Sequence, residues 1–89
     1  MPQYLIERHI PGIECMSPDE LKSVARKSNS VLADLGDAII WRHSYVVDGK
    51  TYCVYEAPDK ELILEHARMT GFPCNNITEI QKMIGPDTG

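Results

Sequence analysis

The stretch 37-DAIIWRHSYVVDGKTYCVYEA-57 decides the fold, because two β-rich runs flank the dipeptide Asp48-Gly49. A two-residue Asp-Gly loop between such runs is typical of a β-hairpin with a type I′ turn. The stretch therefore predicts an antiparallel hairpin with strands near residues 38–47 and 50–57.

The predicted turn also sets which side chains share a face of the sheet. With Val47 opposite Lys50, every second pair along the hairpin points to one side. That side receives Trp41, His43, Tyr45, Tyr52, Val54 and Glu56, and the other receives Ile40, Arg42, Ser44, Val46, Cys53 and Tyr55. The second set contains small residues that suit the close approach of helices, so the first set is predicted to lie on a face without helices.

The stretch 3-QYLIERHI-10 alternates in the manner of a strand and ends at Pro11-Gly12. If Ile6 and Ile10 point towards the helices, Glu7 and His9 join the face without helices. Arg8 is then the one polar residue on the apolar side of this strand.

Helix signals follow the first strand and the hairpin. Ser17, Pro18 and Glu20 form a capping-box pattern, and apolar spacing continues to Gly36, which predicts a helix over 18–35. Pro58 and Asp59 are predicted to open a second helix that ends at Gly71. A last strand is predicted over 76–84, and 85–89 is predicted to be a flexible tail.

The element order β-α-β-β-α-β is the split-βαβ, ferredoxin-like arrangement, an α+β sandwich with both helices on one face of a four-stranded antiparallel sheet. With 89 residues, the chain fits one domain over 1–84. The uncovered face must be solvated, bound to a ligand or buried against a second copy, and the last option predicts a dimeric α+β barrel.

Composition excludes several classes of function. There are 9 basic residues against 13 acidic ones, with no basic stripe, so nucleic acid is not an expected partner. No apolar run is long enough to span a membrane and no leader pattern is visible, which predicts a cytoplasmic protein. The three cysteines have no CxxC spacing and are expected to be reduced thiols.

The uncovered face would carry His9, His43, Glu7 and Glu56 together. Imidazole and carboxylate form a mixed nitrogen and oxygen set that suits divalent first-row metals. Without a dedicated ligand spacing, an ordinary solvated or dimer-facing sheet surface explains the same residues.

His66 occurs in the stretch 64-LEHARMTGFPCNN-76 and shares the apolar stripe of the second helix with Ile63 and Ala67. Its spacing predicts a buried neutral histidine with one hydrogen bond. A nucleophilic pair with Cys53 is an alternative, but the sequence identifies no third group to orient it.

The chain resembles a small family of stand-alone bacterial domains whose characterised relative is a nickel-binding, dimeric, ferredoxin-like protein. The resembling segments, in order, are YLIER (4–8) with Pro11-Gly12, Trp41 with SYV (44–46), YCVYEAP (52–58), and EHA (65–67) with GFP (71–73). The family pattern includes Glu7, Tyr45, Cys53, Glu56 and His66, and it does not require His9 or His43. The resemblance thus implies nickel as the cofactor and makes His66 the first candidate ligand.

Three hypotheses follow. The leading one is a cytoplasmic homodimer that binds nickel or another divalent transition metal, without turnover, through His66 or the imidazoles of the uncovered face together with Glu7 and Glu56. Tyr45 and Tyr52 would hold the carboxylates in place.

The second hypothesis is a small dimeric α+β-barrel enzyme or binder, with an apolar or aromatic molecule between two sheets and His43 or Glu7 as acid or base. Trp41, Tyr45, Tyr52 and Val54 would line that pocket. The third is a plain dimerisation or interaction module.

Overall fold

The computed structural model describes residues 1–89, and the predicted hairpin forms one half of its sheet. Strand β2 spans Ile40–Val47 and strand β3 spans Lys50–Glu56, with Val47 opposite Lys50 as predicted. The type I′ turn was wrong, because φ is positive at Gly49 (71°) and not at Asp48. The Ile10 amide donates to the Gly49 carbonyl oxygen at 2.9 Å, and the Gly49 amide donates to the Glu14 carboxylate at 3.1 Å, so tertiary contacts hold this turn.

The complete order is β-α-β-β-α-β. Strand β1 is Gln3–His9, helix α1 is Pro18–Leu35, helix α2 is Lys60–Thr70 and strand β4 is Asn76–Ile80, with a short 3-10 turn at Ile13–Cys15. All neighbouring strands pair antiparallel in the spatial order β2-β3-β1-β4. This is the predicted ferredoxin-like sandwich.

Both helices begin at capping residues. The Ser17 hydroxyl accepts from the Glu20 amide at 3.2 Å, and the Glu20 carboxylate accepts from the Ser17 amide at 3.2 Å, which is the predicted capping box. Helix α2 starts at Lys60 because Asp59 is its N-cap and accepts from the Leu62 amide at 3.0 Å.

Strand β4 is shorter than predicted and ends at Ile80. Its partner β1 begins at Gln3, which lies opposite Ile80, so the residues after Ile80 have no strand to pair with. The predicted flexible tail contains an exposed 3-10 turn at Pro86–Thr88.

The core lies between the helices and one face of the sheet. Its buried side chains are Tyr4, Ile6, Ile39, Cys53, Tyr55, Ala57 and Ile63. Arg8 is buried on the same side, 3 % exposed, as the strand pattern predicted. No helix in the chain is long and apolar enough to cross a membrane.

A β-bulge in β2 corrects the predicted faces. The register shifts between Trp41 and His43, so Trp41 lies opposite Tyr55 on the helix side, and Ile40 lies opposite Glu56. The Trp41 and Tyr55 rings stack with their centroids 6.3 Å apart. Trp41 was therefore assigned to the wrong face, and Arg42 pairs with Glu56 instead.

Candidate functional site

The sheet face without helices, here called the bare face, presents side chains in rows across the four strands. The register gives the rows Val47–Lys50–His9, Tyr45–Tyr52–Glu7–Asn76, His43–Val54–Leu5–Thr78 and Ile40–Glu56–Gln3–Ile80. Its most connected polar group lies in the second row, at Glu7.

The Glu7 carboxylate accepts hydrogen bonds from three residues on the two strands that flank β1. Its Oε1 lies 3.1 Å from the Lys50 ammonium and 3.2 Å from the Tyr52 hydroxyl, and its Oε2 lies 2.8 Å from the Asn76 amide nitrogen. The hydrogen bond from Asn76, followed by the one from Lys50, lowers the pKa of Glu7 to about 2. Glu7 is therefore a fixed, ionised carboxylate throughout the physiological range.

His9 supplies an imidazole next to this carboxylate. Its Nε2 lies 3.5 Å from Glu7 Oε1, and about half of its side chain (48 %) is exposed. The His9 backbone is held by the residue before β4, since its amide donates to the Asn75 side-chain oxygen at 2.7 Å. The pair combines an accessible nitrogen donor with an anionic oxygen donor, which is a partial ligand set for a divalent transition metal.

The two other predicted ligands of the bare face lie elsewhere on it. His43 lies two strands and two rows from His9, which corresponds to roughly 16 Å between backbones. Its ring packs edge-on against Tyr45, with centroids 5.2 Å apart, while Glu56 is ion-paired with Arg42. No group of three or more His, Cys, Asp or Glu side chains is close enough to hold a metal within one chain.

His66 lies on the opposite side of the sheet, fully buried under the helices. Its Nε2 is 3.1 Å from the Ser28 hydroxyl, which is 3.3 Å from the Tyr55 hydroxyl, and its Nδ1 has no partner. Burial, and next the nearby Arg8 charge, lower the pKa of His66 to about 4. The geometry matches the predicted neutral core histidine, and it separates His66 from the other four candidate ligands.

Cys53 is also buried on the helix side. Its thiol donates to the Thr51 hydroxyl at 3.6 Å, and it has no hydrogen bond with His66. No third group orients the two side chains as a nucleophilic pair.

Sequence reasoning missed two partners of Glu7. Asn76 lies opposite Glu7 only because β4 pairs with β1 in a register that no turn specifies. The hairpin pattern placed Lys50 next to the turn but did not relate it to Glu7. The pairing of β1 with β3 puts Lys50 in the row adjacent to that of Glu7 and so brings the two charges together.

The bare face also contains an open groove of about 410 Å³. Its walls include Arg42, His43, Tyr45 and Lys82. This surface is therefore charged as well as apolar.

Comparison with known proteins places the chain in a family. The family model described as nickel responsive protein SCO4226-like matches residues 4–80. The crystal structure of SCO4226 from Streptomyces coelicolor A3(2) superposes with a TM-score of 0.75 at 18 % identity, covering 92 % of this chain and 99 % of that one. A search of curated proteins found no match. The identity to SCO4226 is low, so the superposition supports the fold alone, whereas the family match spans most of the sequence. The chain thus belongs to the SCO4226-like family of nickel-responsive proteins.

Proposed function

We propose that this protein binds a divalent transition metal, with nickel as the first candidate, on its bare face and acts as a binder, sensor or buffer without turnover. The observation that carries the proposal is the Glu7–His9 pair, an exposed imidazole 3.5 Å from an ionised carboxylate. The family description adds nickel as the metal to test first.

The neighbours of Glu7 support this role. Tyr52 and Asn76 donate hydrogen bonds to its two oxygens from the strands on either side of β1, and this fixes the orientation of the carboxylate. A ligand held in place in this way loses less conformational freedom when it binds a metal. The low pKa of Glu7 means that no proton has to be released near neutral pH.

Lys50 opposes the same role. Its ammonium is 3.1 Å from Glu7 Oε1, where a metal would have to bind. Metal binding at Glu7 therefore displaces an ion pair, and we expect affinity to rise when the lysine charge is removed.

Two ligands from one chain do not complete the square-planar or tetragonal environment that Ni²⁺ prefers. We propose that a second copy of the chain packs its bare face against the first and brings its own Glu7 and His9, with water in any remaining position. Exposed apolar side chains on this face favour such a dimer, namely Leu5, Tyr45 and Val47.

The proposal leaves His66 in a structural role. A side chain with no exposed surface, whose Nε2 is already hydrogen-bonded to Ser28, requires the core to open before it can bind a metal. His43 and Glu56 are not assigned to the same ion, because within one chain His43 lies two strands and one row from Glu7, and Glu56 lies two rows from Glu7.

The test is elemental analysis of tag-free protein after dialysis against nickel and removal of free metal. We expect stoichiometric retained nickel in the wild type and loss of most of it in His9→Ala. His43→Ala is the matched control, because it removes an exposed imidazole from the same face and should keep the metal.

Retention of nickel by His9→Ala, together with loss in His66→Ala, would move the site into the core and overturn our assignment. An absence of retained metal in the wild type would overturn the proposed function itself. Size-exclusion chromatography with light scattering on the same samples tests the dimer.

The groove on the bare face favours a second candidate, an organic ligand enclosed between two sheets. Its volume of about 410 Å³ is large enough for a small molecule. Native mass spectrometry of freshly purified protein distinguishes this candidate, because it predicts a copurified organic mass in place of retained metal.

A further inference from the structure

A second concave site lies on the other side of the sheet, between α1 and strands β1 to β3. It is a cavity of about 160 Å³. Its walls are largely apolar and include Ile13, Val24, Trp41, Val46, Tyr55 and Phe72. An engineered apolar cavity of about 150 Å³ is sufficient to bind benzene, so this space accommodates a group the size of one aromatic ring.

Arg8 forms part of the same wall and is 3 % exposed. Its Nη1 donates to the carbonyl oxygen of Pro73 at 2.8 Å, whereas its Nη2 is buried without a hydrogen-bond partner. None of the ion pairs in the structure includes Arg8. No acid in the chain offsets the desolvation cost of this buried guanidinium, whose other contact is with the Phe72 ring, 6.0 Å from its Cζ to the ring centroid.

The titratable groups around Arg8 do not provide the missing negative charge. Burial raises the pKa of the Tyr55 phenol and of the Cys74 thiol, so both are neutral near pH 7. His66 is neutral because its pKa is lowered to about 4. Arg8 is thus a buried positive charge whose titratable neighbours Tyr55, Cys74 and His66 are all neutral.

We propose that this cavity binds a small organic monocarboxylate, with its apolar body among the side chains beneath α1 and its carboxylate on Arg8. One guanidinium matches one carboxylate, and the hydrogen-bonding capacity left at Nη2 matches one of its oxygens. The apolar walls offer nothing to a strongly hydrated inorganic anion, which favours a ligand that has both a charge and an apolar body.

The entrance is formed by less buried side chains. Ile10, Leu21 and Phe72 are half-buried, and Val46 is 44 % exposed. The ligand can therefore enter from solvent past the edge of α1. This site is independent of the proposed metal site, which lies on the bare face.

The test follows methyl signals of isotope-labelled protein by NMR during titration with benzoate, phenylacetate and isovalerate. We expect saturable shifts at Ile13, Val24 and Val46 with at least one of these carboxylates. Benzamide, which has the shape of benzoate without its charge, should bind at least tenfold more weakly than benzoate if benzoate is the ligand that binds.

The matched variants are Arg8→Met and Arg42→Met, which remove one arginine from each side of the sheet. Arg8→Met should weaken carboxylate binding at least tenfold while remaining folded, because methionine replaces a buried charge that has no acidic partner. Arg42→Met should bind like the wild type. If Arg8→Met does not fold, Ala25→Leu, which fills the cavity from α1, serves as the second variant and should also abolish the shifts.

Several results would overturn the proposal. One is the absence of saturable shifts with all three carboxylates, and another is equal binding of benzoate and benzamide. Binding that survives both Arg8→Met and Ala25→Leu would also assign the carboxylate to a different place on the surface.

Discussion

The two faces of the sheet carry the same kinds of side chain and give them opposite chemistry. On the helix side, His66 is a neutral imidazole and Arg8 is a cation without an acid. On the bare face, Glu7 is an anion with hydrogen bonds from three residues, and His9 is accessible to solvent. Residue type therefore identifies candidates, but burial determines which of them is open to a metal and which to an organic anion.

The difference arises from how each charge is compensated. Glu7 receives donors from both strands that flank β1, so the sheet itself stabilises its ionised form. Arg8 is the next residue and points to the other side, where helices exclude water and no acid is nearby. Two adjacent residues of one strand therefore give the protein a compensated charge and an uncompensated one.

The largest effect we predict compares neighbours that point to opposite faces of β1. Ile6→Ala should lower the free energy of unfolding by about 4 kcal/mol, because Ile6 is fully buried. Leu5→Ala should cost about 1 kcal/mol or less in the monomer, since Leu5 is 36 % exposed. Urea unfolding monitored by circular dichroism measures both values.

Unfolding of Leu5→Ala and Ile6→Ala at several protein concentrations tests whether the bare face is buried in a dimer. If bare faces pack together in a dimer, the cost of Leu5→Ala should grow when unfolding is measured at higher protein concentration. A cost for Leu5→Ala that equals that of Ile6→Ala at every concentration would show that the two faces are equally buried in the monomer, and the comparison would fail.

The second prediction concerns pH. The pKa of His66 is about 4 in the folded protein and near 6.5 in the unfolded chain, so between these values the unfolded state binds the extra proton. The stability linked to neutral His66 should therefore be fully present above pH 6.5. The free energy of unfolding should decrease by on the order of 2 kcal/mol as the pH falls towards 4. Thermal unfolding across this range measures the slope.

Two histidine variants isolate the source of that slope. His66→Gln can keep a hydrogen bond to Ser28 and should flatten the slope between pH 6.5 and 5. His43→Gln removes an exposed imidazole from the bare face and should leave the slope in place. A slope that persists in His66→Gln would assign the pH dependence to another group.

Local patterns predicted the elements of the fold well, because each was encoded over a few residues. The capping box at Ser17, the hairpin register at Val47 and Lys50, and the alternation that buries Ile6 all proved correct. The end of β4 at Ile80 was not predictable in this way, since it depends on where β1 begins to offer a partner.

The candidate site was harder to predict because it depends on register between distant strands. The bulge at Arg42 has no glycine or asparagine signal in the sequence, yet it moves Trp41 to the helix side. Alternation placed Glu7 and His9 correctly on the bare face, but it could not show that His43 and Glu56 lie far from them. The sequence showed Arg8 only as one polar residue in an apolar pattern, and it could not show that this buried charge has no acidic partner.

The smallest predicted effect is the response of Glu7 to the loss of one partner. Lys50 is the second cause of the lowered Glu7 pKa, after Asn76, so Lys50→Met should raise that pKa from about 2 towards its ordinary value of 4.5. Because the folded pKa lies below the ordinary value, the stability linked to Glu7 is present above pH 4.5 and is lost as the pH falls towards 2. In Lys50→Met this loss should again begin near pH 4.5, but it should be complete at a higher pH than in the wild type and be smaller.

NMR titration of the Glu7 side-chain carboxyl carbon measures this shift directly. The control is Lys82→Met, which removes an ammonium that makes no hydrogen bond to Glu7. Lys50→Met should also bind nickel more tightly, because the metal no longer has to displace an ammonium from Glu7 Oε1. A raised Glu7 pKa with unchanged nickel binding would separate the carboxylate from the metal site, whereas a change in both would place the two at the same oxygen.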